Sequence, residues 1–284
     1  MAHFEAEVWD KKTKQLVKGK IYIDGKLNQQ IDTKIKKDVT KKDKDKVYVI
    51  DGTEGAGKSV LAMQLAKKLD HTFCLDRVVM NAIDFTHAIA QAKRFQCIVF
   101  DEAYSGLSSR TALSEINHLL VSLMMEMRQK NLFVIIVLPT IFLLDKYVAL
   151  WRARGLFHVY EFKGNRGFWV YYNNKKKKVL YLLGKKDYSY NIKNAKSKFK
   201  GRFLDAYVVD EAEYRKKKKK ALESRDRRTK SDKFKEQRDK LLWILYENEG
   251  HTLQELIDIC KMNQVHLKKT SISEILSKFR ATGT

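Results

Sequence analysis

Gly52-Thr53-Glu54-Gly55-Ala56-Gly57-Lys58-Ser59 spells G-x-x-x-x-G-K-S, and it follows directly on the apolar run Lys46-Val47-Tyr48-Val49-Ile50-Asp51. A strand that ends in such a loop and opens into a helix aims several backbone N–H groups at one spot. The glycines permit the tight turn and a close approach of backbone to an anion, and the helix N-terminus adds a favourable partial charge. The pattern predicts a phosphate cradle built from Gly52, Thr53, Glu54, Gly55, Ala56, Gly57, Lys58 and Ser59, with Val60 in the first turn of the helix. Lys58 is placed to reach the β- and γ-phosphates of a nucleotide, and the Ser59 hydroxyl to ligate Mg²⁺.

A second run makes the first more specific. Cys97-Ile98-Val99-Phe100-Asp101-Glu102 is a short apolar stretch ending in a pair of acids. In a P-loop enzyme it is expected to be the buried strand beside the P-loop strand. Asp101 would then sit near the metal, directly or through water, and Glu102 would polarise the attacking water.

Composition bounds the class. The chain has 284 residues, enough for one sizeable α/β core and a small appendage. Its formal charge is +23, which points to a polyanionic partner, nucleic acid or an acidic membrane surface. The excess is concentrated: residues 163–240 carry 27 Lys/Arg against 10 Asp/Glu, a net of +17, including Lys175–Lys178 and Arg215–Lys220. Cys74, Cys97 and Cys260 are far apart and form no C-x-x-C pair, so they read as reduced core residues and not as a disulfide framework or a zinc site. The first residues show no apolar core of a secretory signal. The longest apolar stretch, Leu132–Leu144, is broken by Pro139 and is short for a bilayer span. A soluble, cytoplasmic protein is expected, or one of the host cytoplasm if a virus or mobile element encodes it.

Along the chain, residues 1–45 read as an N-terminal β-hairpin and charged linker. Glu5–Trp9 and Lys20–Ile23 are its strands, Asp24-Gly25 its turn signal, and Lys34–Lys46 an exposed connection. Residues 46–205 read as a nucleotide-binding α/β domain. The expected order is the P-loop strand and helix, a strand over Phe73–Met80, and a helix over Asp84–Arg94 capped by Asp84. The acidic strand follows, then an amphipathic helix over Thr111–Lys130, a buried strand over Leu132–Leu138, a helix over Ile141–Arg154 and a fifth strand over Leu156–Phe162. Right-handed crossovers would make this a mostly parallel sheet with helices on both faces. Gly164–Gly167 reads as a hairpin turn, and Phe168–Tyr172 and Val179–Leu183 as strands around it. The aromatics Phe168, Trp169, Tyr171 and Tyr172 lie beside basic residues; they read either as a core-facing sheet or as a stacking surface for bases. Residues 206–240 read as a basic helical linker. Residues 241–284 form a small helical module, with Thr252 and Ser271 as caps and a helix-turn-helix or oligomer-contact role.

With one strand-helix unit between P-loop and acidic strand, residues 46–162 resemble the additional-strand, catalytic-glutamate branch of P-loop NTPases, which implies a RecA-like core. Within that branch, Met127-Arg128-Gln129-Lys130-Asn131 and the strand after it are similar to a passage of FtsK/HerA-type DNA-pumping ATPases and the related Zot-like (zonular occludens toxin) proteins of filamentous phages. The resemblance implies ATP with Mg²⁺ as cofactors, Lys58 and Glu102 as catalytic residues, and Ser59 and Asp101 at the metal. The polar residue ending the next strand, here Thr140, would sense the γ-phosphate. One of Arg110, Arg128, Arg152 or Arg154 would reach the nucleotide of a neighbouring subunit in a homo-oligomer. Thr229-Lys230-Ser231-Asp232 matches a loose guanine-reading pattern but lies in the polar linker, so ATP is preferred to GTP.

The expected function is an ATPase acting on nucleic acid, DNA before RNA, as a translocation, packaging or mobile-element transfer motor. Two other readings stay open: an ATP-switched DNA-binding regulator or partition-type adaptor, and a membrane-peripheral assembly ATPase.

Overall fold

The computed structural model describes residues 2–101, 110–197, 199–225, 230–263, 265, 267 and 269–282. Glu102 falls outside them, as does the side chain of Arg110. The chain divides into two compact units, Met1–Leu222 and Glu223–Thr284.

The first unit begins with an antiparallel hairpin, β1 (Ala2–Asp10) and β2 (Gln15–Ile23), paired from Ala2↔Ile23 to Asp10↔Gln15. The chain therefore reverses at 11–14, where Lys14 takes φ 54°, and not at Asp24-Gly25. Asp24 instead caps a helix, accepting from the N–H groups of Lys26 and Leu27 at 3.0 and 3.3 Å. Helix α1 (Gly25–Gln30) runs through a π-helical turn (Ile31–Ile35) into α2 (Lys36–Lys41), where an exposed connection was expected. The cause is a stripe at every fourth position, Leu27, Ile31, Ile35 and Val39, lying among the charges; Leu27, Ile31 and Val39 are fully buried.

The sheet follows. Its strands are β3 (Lys46–Gly52), β4 (Val78–Val79), β5 (Cys97–Phe100), β6 (Phe133–Val137), β7 (Ala153–Phe162), β8 (Asn165–Asn173) and β9 (Lys200–Arg202). In space they run β4-β5-β6-β3-β7-β8-β9. Pairings among β4, β5, β6, β3 and β7 are all parallel, and β8 and β9 extend the sheet antiparallel. This corrects one expectation: β5 does not lie beside β3, because β6 is inserted between them.

Both faces of the sheet are covered, so its strands alternate between two apolar layers rather than between core and water. Tyr48 and Ile50 of β3, with Ile135 of β6 and Val99 of β5, face the layer that holds α3 (Lys58–Leu69) and the N-terminal segment. Val47, Val49, Val134, Ile136, Ile98 and Phe100 face the other layer, with α4 (Ala82–Gln91), α5 (Arg110–Gln129) and α6 (Asn174–Gly184). Ile21, Ile23 and the Leu27–Val39 stripe belong to the first layer, so residues 1–45 share their core with the P-loop strand.

Other local expectations are revised. Asn81, not Asp84, caps α4, accepting from the Asp84 N–H at 2.8 Å. Phe73–Met80 yields only β4 after a 3₁₀ turn over Leu75–Arg77. The expected helix over Ile141–Arg154 is a 3₁₀ turn (Ile141–Leu143) and a π-helical turn (Val148–Arg152). Val179–Leu183 is part of α6 and not a strand; Asn173 caps that helix, and Leu180 and Tyr181 turn inward. The β7–β8 turn is Lys163-Gly164, both at positive φ. Trp169 and Tyr172 are buried, as a core-facing sheet requires, while Phe168 lies half-buried under the Arg202 guanidinium at 4.8 Å. Cys97 and Cys260 are buried, but Cys74 is exposed.

Two long helices follow, α7 (Glu211–Arg225) and α8 (Lys230–Glu247). Helix α9 (Leu253–Met262) starts in a capping box of Thr252 and Glu255. Helix α10 (Lys269–Thr282) contains Ser271 instead of starting there. In the second unit Leu242, Leu256, Ile257, Cys260, Ile272, Ile275 and Leu276 close a small core of their own. Among the described residues, no helix is long and apolar enough to cross a membrane.

Candidate nucleotide-binding site

The site forms where β3 gives way to α3. Gly52, Gly55 and Gly57 have φ of 128°, 76° and 95°, a region that L side chains resist. At Gly52 space is also exhausted: a Cβ there would lie 1.8 Å from the Val159 carbonyl oxygen of the adjacent strand. Thr53 N–H bonds that same carbonyl at 3.3 Å, and Gly52 N–H bonds the Pro139 carbonyl at 3.2 Å. The loop is thus clamped between the ends of β6 and β7. Ala56 is fully buried and ties back to the Thr53 carbonyl at 3.3 Å.

Helix α3 begins at Gly57 in the left-handed region, and no side chain caps it. Its first N–H groups therefore open toward the loop, with the positive end of the helix dipole behind them. Lys58 Nζ donates to the carbonyls of Gly52 and Thr53, both at 2.8 Å, which holds the ammonium at the mouth of the loop. Burial lowers its pKa; Asp51, Glu54 and Asp101 oppose that, and Lys218 adds to it.

Asp101 sits just past β5, fully buried, with its N–H on the Val79 carbonyl at 2.8 Å. Ser59 Oγ donates to Asp101 Oδ1 at 2.9 Å. The structure therefore brings Gly55, Gly57, Lys58, Ser59, Val60 and Asp101 together around one cavity of about 510 Å³, a volume ordinary for small-molecule sites. Ser59 and Asp101 present hard oxygen donors side by side on its floor, the donor chemistry Mg²⁺ takes when phosphates and water complete its shell. The residues fit that ion.

Other expected site residues lie elsewhere. The Thr140 hydroxyl pairs with Tyr190 Oη at 2.7 Å and does not line the cavity. Tyr190 in turn donates to Asp51, whose carboxylate is fully buried and also takes the Ile141 N–H at 2.8 Å and His158 Nδ1 at 2.9 Å. Burial and that carboxylate raise the Tyr190 pKa, so the phenol stays a donor. This cluster ties Asp51, near the end of β3, to the segment after β6. An acid closing an apolar strand was its only signal in the sequence.

Arg128, Arg152 and Arg154 gather at the opposite end of the sheet. Parallel strands all start at one edge, and these arginines precede or open β6 and β7, whose first residues flank Lys46 and Val47. The seven residues of β3 separate that edge from the P-loop, about 20 Å at the rise of a strand. Arg152 is ion-paired there with Asp45, both largely buried.

Sequence reasoning expected α7 as part of a basic helical linker and missed its place at the site. Gln64 of α3 donates to the carbonyls of Leu204 and Ala206 at 2.7 and 2.8 Å, pinning the segment that leads into the helix. Val208 and Val209 are buried in the α3-side layer, and Asp210 caps the helix through the Glu213 N–H at 3.0 Å. Tyr214 Oη then donates to Asp101 Oδ2 at 2.6 Å. Burial, then the Asp101 charge, raises the Tyr214 pKa and keeps the proton on its oxygen. Tyr207, Arg215 and Lys218 line the cavity beside it. The signal in the sequence was Tyr214 just before the lysine run, the only aromatic of α7. A further cation, Arg166 on β8, lies over the loop: a side chain at Gly55 would meet its guanidinium at 3.6 Å.

No protein-family model matches the sequence, and no curated protein matches it. Among solved structures, the chain is similar to the N-terminal domain of zonular occludens toxin from Neisseria meningitidis, with 15% identity over 46% of this chain and 84% of that one, at a TM-score of 0.28. A likeness this slight carries no argument about activity. The class rests on the chain's own geometry: a P-loop-like α/β fold whose mostly parallel sheet presents a phosphate-type loop at the end of its central strand.

Proposed function

We propose that this chain is a Mg²⁺-dependent ATP-hydrolysing P-loop NTPase acting on nucleic acid, most simply as a DNA translocation, packaging or transfer motor. The observation that carries the nucleotide part is the pairing of Ser59 with Asp101 at 2.9 Å under a loop that only glycines can form. Strand β6 between β3 and β5 supports the additional-strand branch. The nucleic-acid part rests on the charge of residues 163–240.

The chain's own groups divide the work as follows. Loop N–H groups and the start of α3 bind the phosphates, and Lys58 neutralises the outer ones as charge shifts toward the leaving group. Bound Mg²⁺ would draw negative charge off the β- and γ-phosphate oxygens. Ser59 and Asp101 would hold that ion, and Asp101 is oriented by the hydrogen bond from Tyr214. Glu102, next in sequence to Asp101, is the proposed base for water.

The test is Lys58→Ala. The side chain serves the ligand and not the core, so the variant stays folded. Its hydrolysis falls at least about a hundredfold, the scale of losing a preorganised charge at the phosphates, and its ATP affinity weakens. Turnover at the wild-type rate would sink the assignment. Stimulation of the wild-type rate by DNA tests the motor; tight sequence-specific binding with slow, unstimulated turnover would favour an ATP switch.

A further inference from the structure

The lysine-rich helix α7 reads from the sequence as a surface for polyanions, yet one face of it is spent inside the protein. Tyr214 is buried with its hydroxyl on Asp101 at 2.6 Å. Lys218, one helical turn later, shares that face, because residues four apart lie one above the other on a helix. It lines the cavity with Lys58 and Ser59 and is close enough to Lys58 for their charges to interact. Lys217 reaches the Leu75 carbonyl at 3.3 Å, which holds the middle of the helix against the first unit. Arg215 is engaged by Glu211 at 2.6 Å. Lys216 and Lys220 point to solvent.

We infer that α7 completes the nucleotide site from within the same chain, with Lys218 as the cation facing the outermost phosphate and Tyr214 as the positioning residue for Asp101. The inference rests on the reading of the cavity as a nucleotide site and names a part of it. The physical grounds are placement and rigidity. A second cation lining the same cavity as the P-loop lysine can meet the end of a triphosphate, where negative charge is densest. The helix that carries it is fixed by Gln64, the Asp210 cap, Lys217 and Tyr214, so little entropy remains to be lost when the phosphate arrives. Arg128, Arg152 and Arg154 stand at the other edge of the sheet, so none of them meets the phosphates held by their own chain. A cation supplied by α7 makes the site complete without a second subunit.

The discriminating measurement is equilibrium binding of ADP and of a non-hydrolysable ATP analogue to the full-length protein, each with Mg²⁺. A positioned charge-assisted hydrogen bond to phosphate is worth about a tenfold to hundredfold change in affinity. Lys218→Ala weakens the triphosphate analogue by about that factor and ADP by much less, while Lys218→Arg restores most of the difference. Lys216→Ala and Lys220→Ala, one charge fewer on the same helix, leave the ratio of the two affinities unchanged. Tyr214→Phe keeps the ring and raises the Mg²⁺ concentration needed for half-maximal analogue binding severalfold. An unchanged ADP-to-analogue ratio in Lys218→Ala, in a protein whose binding is still abolished by Lys58→Ala, overturns the inference and leaves the nucleotide site standing. Wild-type protein that binds neither nucleotide overturns the site itself.

Discussion

At the scale of single residues, the proposed roles of Asp101 and Glu102 predict different losses. Asp101 is buried between two hydroxyl donors, so Asp101→Asn keeps its shape and removes the charge that would hold the metal. We expect that variant to need several times more Mg²⁺ for half-maximal activity, read from a metal titration of hydrolysis. Glu102→Gln should still bind Mg·ATP but turn it over about a hundredfold slower or more, the scale of losing a general base. Normal turnover would assign the water to another residue. A third residue, Lys177, is testable through stability alone. It is fully buried on α6, with Nζ on the Ala149 carbonyl, and burial, then the charges of Lys178 and Arg154, lowers its pKa to about 7. The unfolded lysine titrates near 10.5. Between those values the unfolded chain binds the extra proton, so stability should rise with pH from neutrality toward pH 10, by at most about 1.4 kcal/mol per pH unit. Urea midpoints across that range would show it, and Lys177→Met should flatten the slope.

At the scale of elements, α7 illustrates how a composition can mislead. Its lysine run suggested one continuous surface for a phosphate backbone. In the fold Lys217 and Lys218 are half-buried, Lys217 turned toward Leu75 and Lys218 toward the cavity, while Lys216, Lys219 and Lys220 are exposed. The exposed set faces solvent, where a nucleic acid would approach. Changing those lysines to Ala should weaken binding of all duplexes alike and reduce the slope of log K against log salt by about 0.9 for each phosphate no longer neutralised. Nucleotide affinity should not change. Anisotropy titrations across salt measure the slope, and a salt-independent affinity in the wild type would leave the exposed lysines as solubilising surface. The N-terminal helices make the complementary point. Their apolar stripe was legible at every fourth position, but the surrounding charge masked it, and the Asp24-Gly25 pair that resembles a hairpin turn is in fact a helix start.

At the scale of the whole molecule, the division after Leu222 sets where functions are separable. Every residue lining the cavity precedes it. A chain ending at Arg225 keeps α7 entire and should retain nucleotide affinity within about twofold, well under the roughly tenfold drop that follows removal of one phosphate-binding cation. The small core of α8, α9 and α10 would be gone. If those helices read base edges, the shortened chain loses preference among DNA sequences and keeps non-specific binding. Competition binding with unrelated duplexes decides this, and undiminished preference would place sequence reading in the first unit.

The sequence by itself determined the loop, its lysine and serine, the buried acidic strand and the alternation that makes a sheet covered on both faces. All of these depend on local pattern: glycine spacing, β-branched runs and helical periodicity over a few residues. It located Asp101 near the P-loop without placing β6 between their strands, because strand order follows from crossovers that no local window contains. Tertiary structure alone decided that the candidate arginines gather at one edge of the sheet and that Asp51, His158, Tyr190 and Thr140 form one buried cluster. It alone brought Tyr214, 113 positions away, onto Asp101. Pairings at such separations are set by packing a pinned segment over α3. A lysine's identity says nothing of whether its helix face meets water or a cavity, since burial is a property of the neighbours and not of the residue.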